Sequence, residues 1–262
     1  MAIDLGEVTV DQLTSGWTIA QRKKGHRHST DDLLTGFYAA EKMPHATRLL
    51  DLGAGIGSVG LLALWRAPAT ATLVAIEAQE ISFALLARNI ADNALGDRVR
   101  AIHGDLREVR VGAHDSSLDE VGAFDLVTGS PPYWDISEGV VPADSQKAAA
   151  RFELRGTISD YAATARRHLA PDGRFVFCFP SVQGQRAHAA CTTNGLVIER
   201  ERPVIPRADA APLFTLYCAR RREDLGGTFV REPEHVVRDA DGNPTAMHAA
   251  ARATFGFTES RR

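Results

Sequence analysis

The feature that most limits the fold of this chain is a glycine-rich loop between a short apolar run and a helical one. Arg48 to Leu52 form the apolar run, Gly53, Gly55 and Gly57 punctuate the loop, and Ser58 to Trp65 read as the helix that follows. Glycines at such a junction allow backbone angles that a Cβ forbids, and they let a ligand approach the main chain. A strand that runs through a ligand-binding loop into a helix is typical of an α/β sheet.

The chain repeats this alternation of strand and helix. Further apolar runs predict strands at residues 73–76, 98–103, 124–128 and 174–179. Apolar residues at helical spacing predict helices over 83–94 and 158–169, the second closed by Pro171-Asp172-Gly173. Repeated units of this kind predict an α/β fold with a Rossmann-like, mainly parallel sheet and helices on both of its faces.

The two ends of the chain depart from the alternation. After a predicted helix over 182–193, Leu196 to Ile205 and Pro212 to Ala219 read as strands joined only by a loop, which predicts an antiparallel C-terminal hairpin at the sheet edge. Ser29 and Asp32 have the spacing of a capping box before a helix from about Thr30. We divide the chain into an N-terminal extension over 1–45, a Rossmann-like core over 46–222 and a tail over 223–262 that packs on the core.

Composition narrows the class of protein. The 262 residues carry a net charge of −3, and 44% of them are hydrophobic, as in ordinary globular proteins. No run approaches the roughly 20 apolar residues that span a bilayer. The N terminus lacks the basic and apolar regions of a secretory signal, so we expect a cytoplasmic protein with no membrane partner. The cysteines are widely spaced and His26 and His28 have no companion ligands nearby, so no metal site is expected. The oligomeric state is left open.

Acidic residues follow the ends of successive predicted strands. Asp51 precedes the glycine loop, which fits a ligand with an ammonium group better than one with pyrophosphate, and no Gly-Lys-Ser/Thr follows as in a P-loop. Glu77 ends the next strand, where a carboxylate can accept both hydroxyls of a ribose. Asp105 can reach an adenine amino group, and it suits a turn or helix cap equally well. S-adenosylmethionine has both the ammonium group and the ribose, and is the predicted cofactor.

The sharpest motif is the turn Ser130-Pro131-Pro132-Tyr133 after the fourth strand. Two prolines hold a rigid extended backbone at the carboxyl edge of the sheet, where open α/β folds bind ligands. The Ser130 hydroxyl and the Pro131 carbonyl can accept the hydrogens of an amino group and make its nitrogen more nucleophilic, while Tyr133 stacks on a base. A strand-ending turn with a buried tyrosine is the alternative interpretation. The motif predicts methylation of an exocyclic or amide-type nitrogen.

Together these segments resemble the motifs of Rossmann-like amino-methyltransferases, whose fourth motif reads Asn/Asp/Ser-Pro-Pro-Tyr. Over nearly its full length the chain is most similar to the bacterial tRNA(Val) adenine-N6-methyltransferase family, with closer matches in residues 29–34, 150–153 and 204–207. The resemblance implies that the first helix caps the cofactor, with Thr30 and Asp31 closing the site. It also implies RNA, in the form of tRNA, as the substrate.

The same resemblance assigns the cofactor contacts, and one residue departs from the family pattern. Asp51, Gly53 and Gly55 would hold the methionine end of the cofactor, Glu77 its ribose and Asp105 its adenine. Ser130 stands where the adenine-N6 members have asparagine, and serine is usual in cytosine-N4 enzymes. Amino methylation follows from either residue, and the target base is left open.

Substrate contacts are predicted from a basic run over 21–28 and from Trp134. Lys23 and Lys24 lie just before the first helix, so they would track phosphates at the mouth of the pocket, unless the run is a solvated loop. Trp134 enlarges the stacking platform of Tyr133 or packs under the loop. Methylation of a protein glutamine or a small-molecule nitrogen is a second interpretation, favoured by an acidic or apolar mouth. A nicotinamide-using or non-catalytic Rossmann protein is a third, and the turn at Ser130 argues against it.

Overall fold

The structure, a computed structural model, describes residues 3–108, 124–135, 142–224 and 226–257. Its strands are β1 (Val8–Gln12), β2 (Thr18–Arg22), β3 (Arg48–Leu52), β4 (Thr72–Glu77), β5 (Val99–His103), β6 (Phe124–Gly129), β7 (Leu169–Pro180), β8 (Leu196–Ile205), β9 (Phe214–Arg221), β10 (Val230–Arg231) and β11 (His235–Val236). Its α-helices are α1 (Thr30–Lys42), α2 (Ser58–Arg66), α3 (Glu80–Asp92), α4 (Ser145–Arg151), α5 (Ile158–His168), α6 (Gly184–Thr193) and α7 (Ala246–Ala253).

The main sheet has the strand order β10-β8-β9-β7-β6-β3-β4-β5, and β11 also pairs with β8. Strands β5, β4, β3, β6 and β7 pair in parallel, and β9 pairs antiparallel with both β7 and β8. The predicted parallel sheet and the antiparallel C-terminal hairpin are therefore confirmed. The reversed strand β9 lies inside the sheet, and the short strands β10 and β11 extend its edge beyond β8.

Helices cover both faces of the sheet, as predicted. On one face Leu34 of α1, Leu61 of α2 and Leu85 of α3 share an apolar core with the β3 residue Leu49. On the other face α5 and α6 pack on the alternate residues of the same strands, among them Leu50. The parallel strands are thus buried on both sides, which explains their continuous apolar runs.

Local differences from the sequence predictions concern short elements. Strand β1 pairs antiparallel with β2 in a separate sheet, outside the predicted alternation of strand and helix. The short helix α4 was not predicted. Strand β7 begins at Leu169, ahead of the predicted turn, because the β6–β7 register shifts before Arg174 and Asp172 adopts a left-handed φ of 60° within that irregularity.

The first and last parts of the described chain meet. The Ser15 N–H donates a hydrogen bond of 2.7 Å to the Phe255 carbonyl, and Leu13 and Phe255 both belong to the core that α1 and α2 share. The division into 1–45, 46–222 and 223–262 stays an interpretation, since both flanks bury side chains in the core of the central sheet. In the described part of the chain, no helix has the length and apolar character needed to cross a membrane.

Candidate active site

A cavity of about 580 Å³ opens at the carboxyl ends of β3, β4 and β6. The glycine loop and the end of β4 form its floor, while the turn after β6, the start of α1 and the segment from α4 to residue 155 form its sides. The parallel order of these strands brings the loops together, as expected of a ligand site in an open α/β sheet.

The glycine loop shapes the floor. Gly53, Gly55 and Gly57 all have a positive φ, at 59°, 57° and 95°. A Cβ on Gly53 would lie 2.0 Å from the Tyr161 hydroxyl oxygen, whereas a Cβ on Gly55 would meet no atom within 4 Å. Gly53 is therefore required both by its backbone angle and by the close tyrosine. Gly55 leaves open space beside the main chain.

Asp51, the fourth residue of β3, is 2% exposed and lines the cavity. Its Oδ1 accepts a hydrogen bond of 2.7 Å from the Thr128 hydroxyl, and its Oδ2 accepts one of 3.0 Å from the Gly60 N–H. Burial raises the pKa of Asp51 to about 6, against the opposing effect of these hydrogen bonds. The carboxyl group is thus held in one orientation by strand and helix.

Glu77, the last residue of β4, braces the glycine loop. One carboxylate oxygen accepts a hydrogen bond of 2.7 Å from the Gly55 N–H, and the other accepts one of 2.6 Å from the Gln79 N–H. The side chain is 8% exposed, and burial raises its pKa to about 7. Its place on the cavity floor agrees with the predicted ribose contact, which stays a prediction.

The start of α1 closes one side of the cavity. The Ser29 N–H donates to the Asp32 carboxylate, which confirms the predicted capping box. Asp31 lines the cavity and accepts a hydrogen bond of 3.1 Å from the Tyr133 hydroxyl. Thr30 is exposed and lies outside the lining. Of the two residues predicted to close the site, the structure brings only Asp31 to the cavity.

The turn after β6 lies across the cavity from the glycine loop. Pro131 and Pro132 are buried, and Ser130 and Tyr133 are half-buried. The Cys178 sulfur lies 3.3 Å from the Ser130 hydroxyl oxygen and 3.3 Å from the Tyr133 hydroxyl oxygen. The cysteine on β7 therefore joins the two polar side chains of the turn.

Main-chain hydrogen bonds from the end of α4 and the residues just after it hold this turn in place. The N–H groups of Tyr133 and Trp134 donate to the Arg151 carbonyl, at 3.1 and 3.0 Å, and the Glu153 N–H donates to the Trp134 carbonyl at 2.9 Å. Trp134 remains 40% exposed and lines the cavity. Its ring is thus available for the predicted stacking.

Asp105 follows β5 but is not among the residues that line the cavity. It forms an ion pair with Arg107 and accepts a 2.9 Å hydrogen bond from the Arg107 N–H. The hydrogen bond from the Arg107 side chain is the main cause of the lowered pKa of Asp105. The turn-capping interpretation describes this geometry, and the contact with adenine stays a prediction. The neighbours Gly104 and Leu106 do line the cavity.

Two important residues were missed from the sequence. Tyr161 lies in the predicted helix over 158–169, and it lines the cavity in close contact with Gly53. Asn89 lies in the predicted helix over 83–94. Its buried side chain accepts from the Ala20 N–H at 2.6 Å and donates to the Ile56 carbonyl at 2.9 Å, so it ties β2 to the glycine loop.

Two segments bring basic side chains to the cavity, which are the end of the predicted basic run over 21–28 and the segment from α4 to residue 155. Lys23 forms a 2.8 Å ion pair with Glu7, and both Lys23 and Lys24 are exposed outside the lining. The side chains that do line it are His26, Arg27, Lys147, Arg151 and Arg155. No feature of the sequence around α4 distinguished those last three from ordinary surface cations.

Comparison with known proteins gives consistent matches. Residues 29–188 match the family model described as the methyltransferase small domain. The chain is 29% identical over 249 residues to a tRNA1(Val) (adenine(37)-N6)-methyltransferase of Dickeya chrysanthemi (strain Ech1591), covering 92% of this chain and 94% of that protein. It is 28% identical over 196 residues to the protein of the same name from a Flavobacteriaceae bacterium (strain 3519-10), covering 75% and 78%.

A solved structure supports the fold separately. A predicted O-methyltransferase from Agrobacterium tumefaciens superposes with a TM-score of 0.63 at 16% identity, covering 86% of this chain and 96% of that one. At that identity the likeness concerns the fold alone. The sequence matches confirm the family resemblance inferred from the motifs.

Proposed function

Since the chain belongs to the methyltransferase small domain family and is a methyltransferase, we propose that it transfers a methyl group from S-adenosylmethionine to an exocyclic amino nitrogen of a tRNA base, with adenine N6 as the preferred acceptor. The observation that carries the proposal is the position of the Ser130–Tyr133 turn. It shares one cavity with the glycine loop and with the buried carboxylates Asp51 and Glu77.

The residues of the floor fit S-adenosylmethionine. Gly55 leaves open space beside its main chain, and Asp51 and Glu77 offer carboxyl groups suited to an ammonium group and to ribose hydroxyls. When bound, the cofactor supplies an electrophilic methyl carbon on a sulfonium centre. The protein holds its own acceptors in fixed positions, since Thr128, Gly60 and the loop main chain orient both carboxyl groups.

The turn after β6 activates and aims the acceptor nitrogen. The Ser130 hydroxyl and the Pro131 carbonyl accept the two amino hydrogens, which localises the nitrogen lone pair toward the methyl carbon. With the cofactor bound, the nitrogen would take the methyl group, and the sulfur would keep the electron pair of the broken S–C bond. The surplus proton leaves the nitrogen afterwards for solvent, so no strong base is required, and positioning supplies most of the rate gain.

Serine in place of asparagine is compatible with this role. A hydroxyl has one donor and two acceptor lone pairs, so Ser130 can donate toward the Cys178 sulfur and still accept from an amino group. We favour adenine because the relative that covers 92% of the chain carries an adenine-N6 name. The cations at the mouth favour a nucleic-acid acceptor over a protein glutamine or a small molecule.

The test is transfer of labelled methyl from S-adenosylmethionine into undermodified bacterial tRNA, followed by nucleoside mass spectrometry, with Ser130→Ala as the impaired comparison. We expect N6-methyladenosine. Recovery of N4-methylcytidine instead would overturn the choice of base and keep the reaction class. Cofactor binding without transfer to tRNA, combined with transfer to a glutamine peptide, would overturn the nucleic-acid assignment.

A further inference from the structure

The cavity has a wall of cations that no part of the proposed chemistry uses. Lys147, Arg151 and Arg155 stand at every fourth position of the chain, from α4 into the segment that follows it, and all three line the cavity. Residues four apart on a helix lie on one face, which aligns the first two. Arg151 and Arg155 are exposed, and Lys147 is half-buried. We call these three residues the cation row.

The cation row differs from Arg22 and Arg27, two other cations near the site, in having no carboxylate partner among the described residues. Arg27 pairs with Asp11 at 2.9 Å, and Arg22 pairs with Asp144 at 2.9 Å. Within the described ranges, no carboxylate oxygen lies within 4.0 Å of the charged nitrogens of Lys147, Arg151 or Arg155; Arg155 donates only to the Ala78 carbonyl, at 3.3 Å.

The wall that carries the cation row is firmly attached to the rest of the site. Asp144 caps α4 by accepting from the Lys147 N–H at 2.9 Å. Gln146, which is 1% exposed, donates to the Ser82 hydroxyl of α3 and accepts from the His26 N–H, both at 3.2 Å. The cations thus project from a fixed surface, which favours binding at defined positions.

Aromatic side chains lie beside the cation row. Trp134, the large exposed apolar residue of the cavity, is joined through its main chain to Arg151 and Glu153. Cations that follow a backbone and a ring that stacks on a base are the two elements of single-stranded nucleic-acid binding. An acidic protein partner would use the cations but would leave the exposed ring without a base.

We propose that Lys147, Arg151 and Arg155 bind the phosphates that flank the acceptor nucleotide, so that the segment from α4 to residue 155 receives a single-stranded RNA loop. The inference rests on the proposed function and adds the substrate surface to it. It also moves the phosphate contacts from Lys23 and Lys24, where the sequence predicted them, to the cation row.

The test compares two triple variants that remove the same charge. One is K147Q/R151Q/R155Q, and its matched control is R66Q/R88Q/R222Q, three exposed cations outside the cavity lining. The probe is an unmodified anticodon stem–loop RNA, with binding measured from about 50 to 300 mM salt. The Arg151 main-chain carbonyl, and not its side chain, holds the Ser130–Tyr133 turn, so the turn stays in place in the first variant.

For the cation-row variant we expect RNA affinity to fall about 30-fold near 0.1 M salt and the slope of log K against log salt to decrease by roughly 2, at about 0.7 per lost phosphate contact. The affinity for S-adenosylmethionine and the melting temperature should match those of the control variant. An unchanged salt slope, or an equal loss in the control, would overturn the inference. Binding of an acidic peptide in preference to RNA would do the same.

Failure of the proposed function gives a different pattern. Wild-type protein that binds the stem–loop with the expected slope but transfers no methyl group to tRNA would contradict the proposed function and leave the RNA surface intact. Transfer to tRNA by wild type, with full activity and affinity in K147Q/R151Q/R155Q, would keep the function and refute the cation row.

Discussion

The charged groups on the cavity floor and those on its wall, which is the side that carries the cation row, lie in opposite environments. On the floor, Asp51 and Glu77 are almost fully buried, and each of their carboxylate oxygens already accepts a hydrogen bond from the protein. On the wall, Lys147, Arg151 and Arg155 have no carboxylate partner within the described part of the chain, and two of them are exposed. Folding has therefore already removed water from the two buried carboxyl groups. The exposed cations stay hydrated until a ligand replaces their water.

This difference separates the effects expected of mutation. Changes on the floor alter groups that folding has already oriented, so they affect both protein stability and cofactor affinity. Changes on the wall alter hydrated charges, so they affect RNA affinity and its dependence on salt and leave stability nearly unchanged. The predictions below probe that separation, from the largest expected effect to the smallest.

The largest effect is expected from Gly53→Ala. The new Cβ combines a left-handed backbone with a clash at the Tyr161 hydroxyl, so we expect about 3 kcal/mol of destabilisation and loss of cofactor binding. Gly55 also has a positive φ, but a Cβ there would meet open space, so Gly55→Ala should lower the free energy of unfolding by only about 1 kcal/mol. Urea unfolding measures both, and adding Tyr161→Phe to Gly53→Ala should recover part of the loss. Equal costs at the two glycines would contradict the role given to Tyr161.

Glu77→Gln should distinguish the cofactor contacts of the floor from the RNA contacts of the wall most directly. The amide places a donor where the Gly55 or Gln79 N–H now points, so cofactor affinity should fall about 100-fold. Stem–loop RNA affinity should stay within about twofold of wild type. Isothermal titration measures the first and fluorescence anisotropy the second. The matched variant Asp105→Asn, outside the cavity lining, should lose less than about fivefold in cofactor affinity. A larger loss there would support the predicted role of Asp105 as a cofactor ligand.

Tyr133→Ala tests the turn that joins floor and wall. Removing the ring should lower kcat for tRNA by about 50-fold, since base stacking contributes about 1–3 kcal/mol, while cofactor affinity changes by less than about threefold. Tyr133→Phe keeps the ring, loses the hydroxyl contacts with Asp31 and Cys178, and should lose less activity. Single-turnover rates and cofactor titrations distinguish the two. A parallel fall in cofactor affinity would place Tyr133 with the floor.

The smallest predicted effect is a dependence on pH. With pKa values raised by burial to about 6 for Asp51 and about 7 for Glu77, the folded protein binds more protons than the unfolded chain between about pH 4 and 7. The contribution of these groups to ligand-free stability therefore falls as pH rises through that range. Cofactor affinity should rise about tenfold over the same range, because ammonium and hydroxyl donors prefer ionised carboxylates. Flat affinity in wild type, measured beside Glu77→Gln, would refute this.

The sequence anticipated the floor because its signals are local. Asp51 and Glu77 stand at the ends of apolar runs, and parallel pairing of β3 with β4 brings those ends together. Tyr161 could not be found in this way, since its contact with Gly53 depends on how α5 packs over a distant loop. A helix pattern identifies a buried tyrosine but not the glycine beneath it.

The structure places Lys23 and Lys24 outside the cavity lining for a specific reason. Lys23 is close in sequence to α1, but it is held beside Glu7, which directly precedes the unpredicted strand β1. The Lys23 N–H donates to the Glu7 carbonyl at 2.8 Å, and the two side chains form an ion pair. Gly25 then packs against Gln146, which brings α4 to the cavity mouth in place of the lysines. Seven-residue α4 is too short to give a periodic signal.

The hydrogen bond between Ser15 and Phe255 bears on the biosynthesis of the protein. The β1–β2 hairpin leaves the ribosome early, but the residue that Ser15 contacts is made only after the whole central sheet. Asn89 ties β2 to the glycine loop, so this loop and the end of the described chain are coupled through one hairpin. A nascent chain can assemble the sheet strand by strand, yet the N-terminal hairpin reaches its final packing only once α7 has been translated.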